Sequence, residues 1–280
     1  MITARPDAEI IGATPADLDL LSQVIAAAFH DLAPSRWLIA EPAARRTIFP
    51  GYFRLLIAHA MAAGLVHTTP ARDAVALWLP AGPGVPGPLA GYQQRLNTAT
   101  APWTGRFAVF DQALAAHHPA GVPHQHLAIL AVRPGRQSRG IGSALLNARH
   151  HDLDHNGTPA YLEATSPRAR DLYLWHGYTT RPGAAFRLPE GPLVWPMWRE
   201  PVGTHERRRW AGTGNSVSDV VPPGQGWHVL CIVICVTSGL APYQPCVKPR
   251  ASRSRSRPSS GPRSARVARK SGGRRAARRV

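Results

Sequence analysis

Residues 126–150 read HLAILAVRPGRQSRGIGSALLNARH. The apolar run 127–132 predicts a strand that stops at Arg133-Pro134, because proline cannot donate to a sheet ladder. A short polar loop follows, and Gly140-Ile141-Gly142 leads directly into Ser143-Ala144-Leu145-Leu146, an apolar helix start. Glycines beneath a helix start let a ligand approach the backbone closely. The unpaired N–H groups and the positive end of the helix dipole there favour an anion. Strand, loop and helix together read as a cradle for a phosphate or pyrophosphate.

Outward from this stretch, residues 8–11 predict a first short strand. Thr14-Pro15-Ala16-Asp17 combines a cap, a proline at the first helical position and an acid in the first turn. Leu18, Leu21, Val24, Ile25, Ala28 and Phe29 recur at threes and fours, which predicts a helix to about His30. Pro34 interrupts. A second helix covers 41–63, broken or kinked at Pro50-Gly51 and ended by Gly64. Residues 65–69 and 74–79 read as an antiparallel hairpin, and 80–88 as a loop. Helices are expected over 89–97 and 103–118, a strand over 124–133, a helix over 140–156 and a strand over 160–163. Ser166-Pro167 opens a helix that runs through His176 and stops at Gly177. Strands over 178–181, 185–188 and 193–198 close the body. The fold class is α/β, a mixed sheet with helices on its faces. Only the strand–helix–strand unit within 126–164 needs a parallel crossover.

Composition divides the chain in two. Residues 203–280 hold 16 of the 33 Lys and Arg against two acids, Glu206 and Asp219. That is +14 of the chain's +17, so residues 1–202 carry +3. The sequence pI of about 11.3 therefore belongs to the tail. All three cysteines, Cys231, Cys235 and Cys246, lie there too, so the body has neither a thiol nucleophile nor a disulfide. Residues 1–202 read as one folded domain. Residues 203–280 are rich in Arg, Ser and Pro and are expected to be disordered, since they have too little apolar surface to bury. The tail is either an extension without a selected role, such as a translated frameshift or read-through, or a non-specific binder of nucleic acid through its arginines. MITARPDAEI has no apolar core of a signal peptide. No run reaches the roughly 18 apolar residues of a membrane span. A cytoplasmic protein without membrane attachment is expected.

The ligand of the cradle can be narrowed. A dinucleotide fingerprint wants a small third residue where Leu145 stands, and wants its glycines directly after the strand, where residues 134–139 intervene. No Gly-Lys-Ser/Thr exists for a P-loop. The combination of V-x-P, a short polar loop, Q-x-x-G-x-G and an apolar helix resembles the acetyl-CoA-binding motif of the GCN5-related N-acetyltransferase (GNAT) superfamily. Within it the chain is similar to the puromycin N-acetyltransferase-like enzymes. That likeness spans most of 8–202, including Ala26-Ala27-Ala28-Phe29, Ala74-Val75-Ala76-Leu77-Trp78, residues 157–163 and Pro189-Glu190-Gly191-Pro192.

The resemblance implies a GNAT fold with a central splayed sheet. It implies acetyl-CoA as co-substrate and direct transfer of its acetyl group, in a ternary complex, to a primary amine of a small molecule, for example an antibiotic-like one. Backbone pairing with the pantetheine arm falls to Leu130, Ala131 and Val132. The pyrophosphate falls to Gln137, Ser138, Arg139, Gly140, Ile141, Gly142 and Ser143. The acid that protonates the leaving thiolate would be Tyr173, with a packing aromatic as its plainer role. Glu163 would take the amine's proton, directly or through water; the plainer role is a carboxylate paired with an arginine such as Arg168. The acceptor pocket is expected from the first two helices, the 80–105 region and the carboxy-terminal strands. Leu174 stands where the family commonly has Glu.

His124 and His126 suggest a metal pair, but no third ligand is placed by spacing, so a solvated pair at a strand start is expected and no metal. His117-His118 and His150-His151 are adjacent on helices and read as poor chelators. A rival function is a CoA-responsive, nucleic-acid-associated protein that works through the basic tail.

Overall fold

The computed structural model describes residues 8–85, 91–119, 121–180 and 183–203. The expectations for 204–280, and for the short stretch 229–236 within it, lie outside the described residues.

A two-residue strand, β1 (Ile11–Gly12), leads to a 3-10 turn at Pro15–Asp17. The Asp17 carboxylate accepts hydrogen bonds from the Thr14 N–H at 2.8 Å and the Thr14 hydroxyl at 2.9 Å, which satisfies donors at the helix entry. Helix α1 (Leu18–Phe29) follows and buries Leu21, Val24 and Ile25. Pro34 does not interrupt the chain. It sits in the first turn of α2 (Ala33–Leu38), where its missing N–H has no intrahelical partner to lose. Helix α3 (Pro42–Ala63) likewise runs unbroken through Pro50. One hydrogen bond is forfeited there, and the burial of Phe49, Tyr52, Phe53 and Leu56 around it holds the helix together.

Gly64 ends α3 with φ −149° and ψ −135°, and not in a left-handed cap. Space is the reason for glycine here: a Cβ would lie 2.1 Å from the Trp78 carbonyl oxygen. Strands β2 (Leu65–Thr68) and β3 (Ala74–Ala81) form the expected hairpin. β3 runs two residues past its expected end, pairing Pro80 with Gln125 and Ala81 with His124. Along β3, Val75, Leu77 and Leu79 enter one core and Ala74, Ala76 and Trp78 the other. An uninterrupted apolar run is what a strand covered on both faces requires.

Then come α4 (Tyr92–Thr100), α5 (Thr104–His117), β4 (His124–Val132), α6 (Ile141–His155), β5 (Ala160–Ala164) and α7 (Pro167–Trp175). Two-residue strands β6 (Thr179–Thr180) and β7 (Phe186–Arg187) and the longer β8 (Leu193–Arg199) end the domain. The sheet order is β1-β2-β3-β4-β5-β8-β6, with β7 also on β8. Every neighbouring pair is antiparallel except β4 and β5, the unit joined by α6. Helices α1 to α5 contribute to the core on one face of the sheet, and α6 and α7 to the core on the other. Arg199 at the end of β8 donates both Nη atoms to Asp154 at 2.7 Å, tying the last strand to the end of α6. Among the described residues, no helix is long and apolar enough to cross a membrane.

Candidate active site

Strand β4 leaves its parallel neighbour early. It pairs with β5 only at Gln125–Ala160 and His126–Tyr161, while its other edge stays on β3 through Val132. A bulge opposite Leu77–Trp78 turns Ala128 and Ile129 to the same core. Beyond it the β5-facing edge of β4 opens into a cleft of about 790 Å³. Leu130, Ala131 and Val132 line that cleft.

The loop after β4 is held from below. Asp73 accepts the Arg133 N–H through its carbonyl at 2.8 Å and Arg136 Nε through its carboxylate at 2.7 Å. Gly135, Ser138 and Gly140 all have positive φ (83°, 61° and 85°), and Gly140 is the N-cap of α6. The N–H groups of Ile141, Gly142 and Ser143, in the first turn of α6, have no partner within the helix. Free amides on a positive helix end form a concave donor surface. Gln137, Ser138, Gly140, Gly142 and Ser143 line the cleft. Ile141 turns its side chain into the core and Arg139 is exposed, so neither side chain joins the wall. Arg168, which does line it, donates Nη2 to Ser138 Oγ at 2.5 Å. Ser143 Oγ lies 3.0 Å from His176 Nε2.

Tyr173 faces this loop from α7. Ser166 caps that helix by accepting the Ala169 N–H at 3.1 Å. The Tyr173 ring packs edge-on against Tyr178, with centroids 5.8 Å apart, so it packs and lines the cleft at once. Burial pushes its phenol well above the ordinary value, and the group stays protonated at neutral pH. Leu174 and Trp175 on the same helix point outward and are exposed.

Glu163 on β5 also lines the cleft, and its partner is not Arg168. His126 Nε2 donates to Glu163 Oε2 at 2.8 Å, and His118 Nδ1 lies 3.8 Å from Oε1. His124 Nε2 is 3.0 Å from His118 Nε2. His124 and His126 are therefore not a solvated pair: they are 2% and 0% exposed. Two steps along β4 place both on one side of the strand, a regularity visible in sequence. His118, just past α5, carries no such signal, because only the tertiary fold brings it to β5. Burial works to raise the Glu163 carboxyl, but His126 and His118 beside it outweigh that and hold it below the usual carboxylate range. Burial lowers His124 to about 4.

The other wall of the cleft comes from α1, α2, α3 and α5. It presents the aromatic side chains of Phe29, Phe49, Tyr52, Phe53 and Phe110. Among the described residues, none of the 80–105 region or the carboxy-terminal strands lines it, contrary to expectation. Tyr92 and Leu96 of α4 are spent on the core, and β6 to β8 pair at the far side of β5. Trp37 is tied elsewhere, donating Nε1 to the Pro189 carbonyl at 2.8 Å and lying under Arg106.

No protein-family model matches the chain. Among solved structures it is similar to one described as histone acetyltransferase HPA2 and related acetyltransferase from Corynebacterium glutamicum. The identity is 27%, with 70% of this chain and 97% of that chain covered and a TM-score of 0.52. A GCN5-related N-acetyltransferase from Rhodopseudomonas palustris also matches, at 13% identity, 71% and 98% coverage and a TM-score of 0.44. So does arylalkylamine N-acetyltransferase 2 from Aedes aegypti, at 10% identity, 69% and 99% coverage and a TM-score of 0.47.

Proposed function

The chain belongs to the GCN5-related N-acetyltransferase superfamily, and we propose that it moves the acetyl group of acetyl-CoA directly to the primary amine of a small, largely apolar molecule. One observation carries this reading. The free edge of β4 runs into the loop that ends at the unpaired first-turn amides of α6, and the buried Tyr173 lines the same cleft. A strand edge, an anion cradle and a protonated phenol in that order match a pantetheine arm, a pyrophosphate and a sulfur leaving group.

In this reading the backbone of Leu130, Ala131 and Val132 pairs with the amides of the arm, as an added strand would. The N–H groups of Gln137, Ser138, Arg139, Gly140, Ile141, Gly142 and Ser143 hold the pyrophosphate, so Ile141 and Arg139 contribute through their backbone. Arg168 adds charge beside Ser138. The acceptor enters along the aromatic wall, where Phe29, Phe49 and Phe53 favour an apolar body, as an aminonucleoside or antibiotic-like amine would have. Glu163, oriented by His126, takes the amine's proton, directly or through water. The nitrogen bonds to the acetyl carbon as the carbon–sulfur bond breaks, and Tyr173 gives its hydroxyl proton to the thiolate. Donor and acceptor share one cleft, which supports transfer without a covalent enzyme intermediate.

The test is thiol release from acetyl-CoA across a panel of primary amines, with Tyr173→Phe alongside. Turnover is expected to rise with the apolar size of the amine and to collapse in the variant. Failure of every amine, or an unaffected variant, overturns the reading.

A further inference from the structure

We propose that His118, His126 and Glu163 bind a divalent transition-metal ion of the zinc type. The three side chains come from separate elements: the residue after α5, β4 and β5. They are 1%, 0% and 7% exposed, and one ligand atom from each lies within 4.8 Å of the other two. Zinc bonds of about 2.0–2.2 Å in a tetrahedral shell place neighbouring ligand atoms roughly 3.3–3.5 Å apart. The 2.8 Å separation of His126 Nε2 from Glu163 Oε2 and the 3.8 Å separation of His118 Nδ1 from Oε1 straddle that distance, and the proton that His126 Nε2 donates to Glu163 leaves as the ion binds. Small side-chain rotations reach that distance. Two imidazoles and one carboxylate suit zinc and its neighbours, and do not suit the all-oxygen shells of calcium or magnesium.

The wiring around His118 selects the ring nitrogen that would ligate the ion. His124 Nδ1 is 2.7 Å from the Val122 carbonyl, which can only accept, so the proton of His124 sits on Nδ1. The His124 Nε2 lone pair then requires the proton of His118 on Nε2, 3.0 Å away. His118 Nδ1 is then the atom turned toward Glu163 Oε1, and their 3.8 Å separation is one that an ion about 2 Å from each would bridge. His124 is the outer partner that selects the ligating tautomer.

Glu163 lines the cleft, which gives the ion a route in. An ion held there occupies the carboxylate to which the amine's proton would go, so zinc is expected to inhibit acetyl transfer. That consequence rests on the transferase reading; the binding itself does not.

The experiment titrates cobalt(II) into the full chain in which Cys231, Cys235 and Cys246 are replaced by Ser, so that tail thiolates do not contribute, and follows the visible d–d absorption. One equivalent of tetrahedral cobalt, displaced by zinc, is expected. His118→Ala and Glu163→Gln should lose the band, and His124→Ala should weaken binding by about 10–100-fold. Near-UV circular dichroism reports whether each variant is folded. No band at one equivalent in the folded protein, or a band that survives both Glu163→Gln and His118→Ala, overturns the site. Binding that leaves acetyl transfer untouched supports the site and instead overturns Glu163 as proton acceptor, so the two failures are distinguishable.

Discussion

Tyr173 illustrates how a single residue divides its surface between two roles. Its ring packs on Tyr178 while the cleft reaches the residue from the loop side, and burial keeps the phenol a proton donor. Replacing it by Phe keeps the packing and removes only the proton. Thiol-release rates should therefore fall by about 10²–10⁴-fold, while the dissociation constant for acetyl-CoA, measured by calorimetry, stays within a factor of about two. His150 makes a different kind of prediction. It is buried against the Tyr178 hydroxyl at 3.0 Å, and burial lowers it to about 3 from its ordinary 6.5. Between those values the unfolded chain holds a proton that the folded chain refuses. Its contribution to stability is thus complete above pH 6.5 and is lost as pH falls toward 3, with a slope of up to about 1.4 kcal/mol per pH unit. Urea unfolding at pH 7 and pH 5 should show that loss, and His150→Gln should flatten the slope by about one proton.

At the scale of elements, the junction of β4, its loop and α6 decides what the protein can hold. Gly140 has φ 85°, and no atom lies within 4 Å of where its Cβ would be. A side chain there costs backbone strain and meets no clash, so Gly140→Ala should destabilise the fold by roughly 1–2 kcal/mol in chemical denaturation. Gly140→Asp adds a carboxylate beside the amides proposed to carry the pyrophosphate. Acetyl-CoA affinity should drop by at least about tenfold more than in Gly140→Ala, which isolates charge from strain. Periodicity made α1, α6 and the β2–β3 hairpin legible, because each has a local pattern matched to a local structure. Prolines misled it three times. Pro34 begins α2, Pro50 rides inside α3, and Pro80 lies within β3, each at a place where the missing donor is not required or is outweighed by packing.

For the whole molecule, the separation of charge is the governing fact. With +14 beyond residue 202, the remainder is close to neutral. A chain ending at Gly203 should keep the melting temperature and acetyl-CoA affinity of the full protein. It should also lose salt-sensitive binding to RNA in a gel-shift assay; retention of that binding would move the nucleic-acid contact into the folded body. The sequence by itself determined the class of the fold, the strand–loop–helix at 124–155 and the helix carrying Tyr173, because each follows from local apolar spacing, caps and glycine stops. Tertiary structure alone decided the surroundings of Glu163. Its partners His118 and His126 stand 45 and 37 residues away in the chain, on elements that meet only once the sheet has formed. It likewise placed side chains of α1, α2, α3 and α5 along the cleft. Local periodicity says which face of a helix is apolar, but the divergence of β4 from β5 determines which of those faces opens onto the cleft.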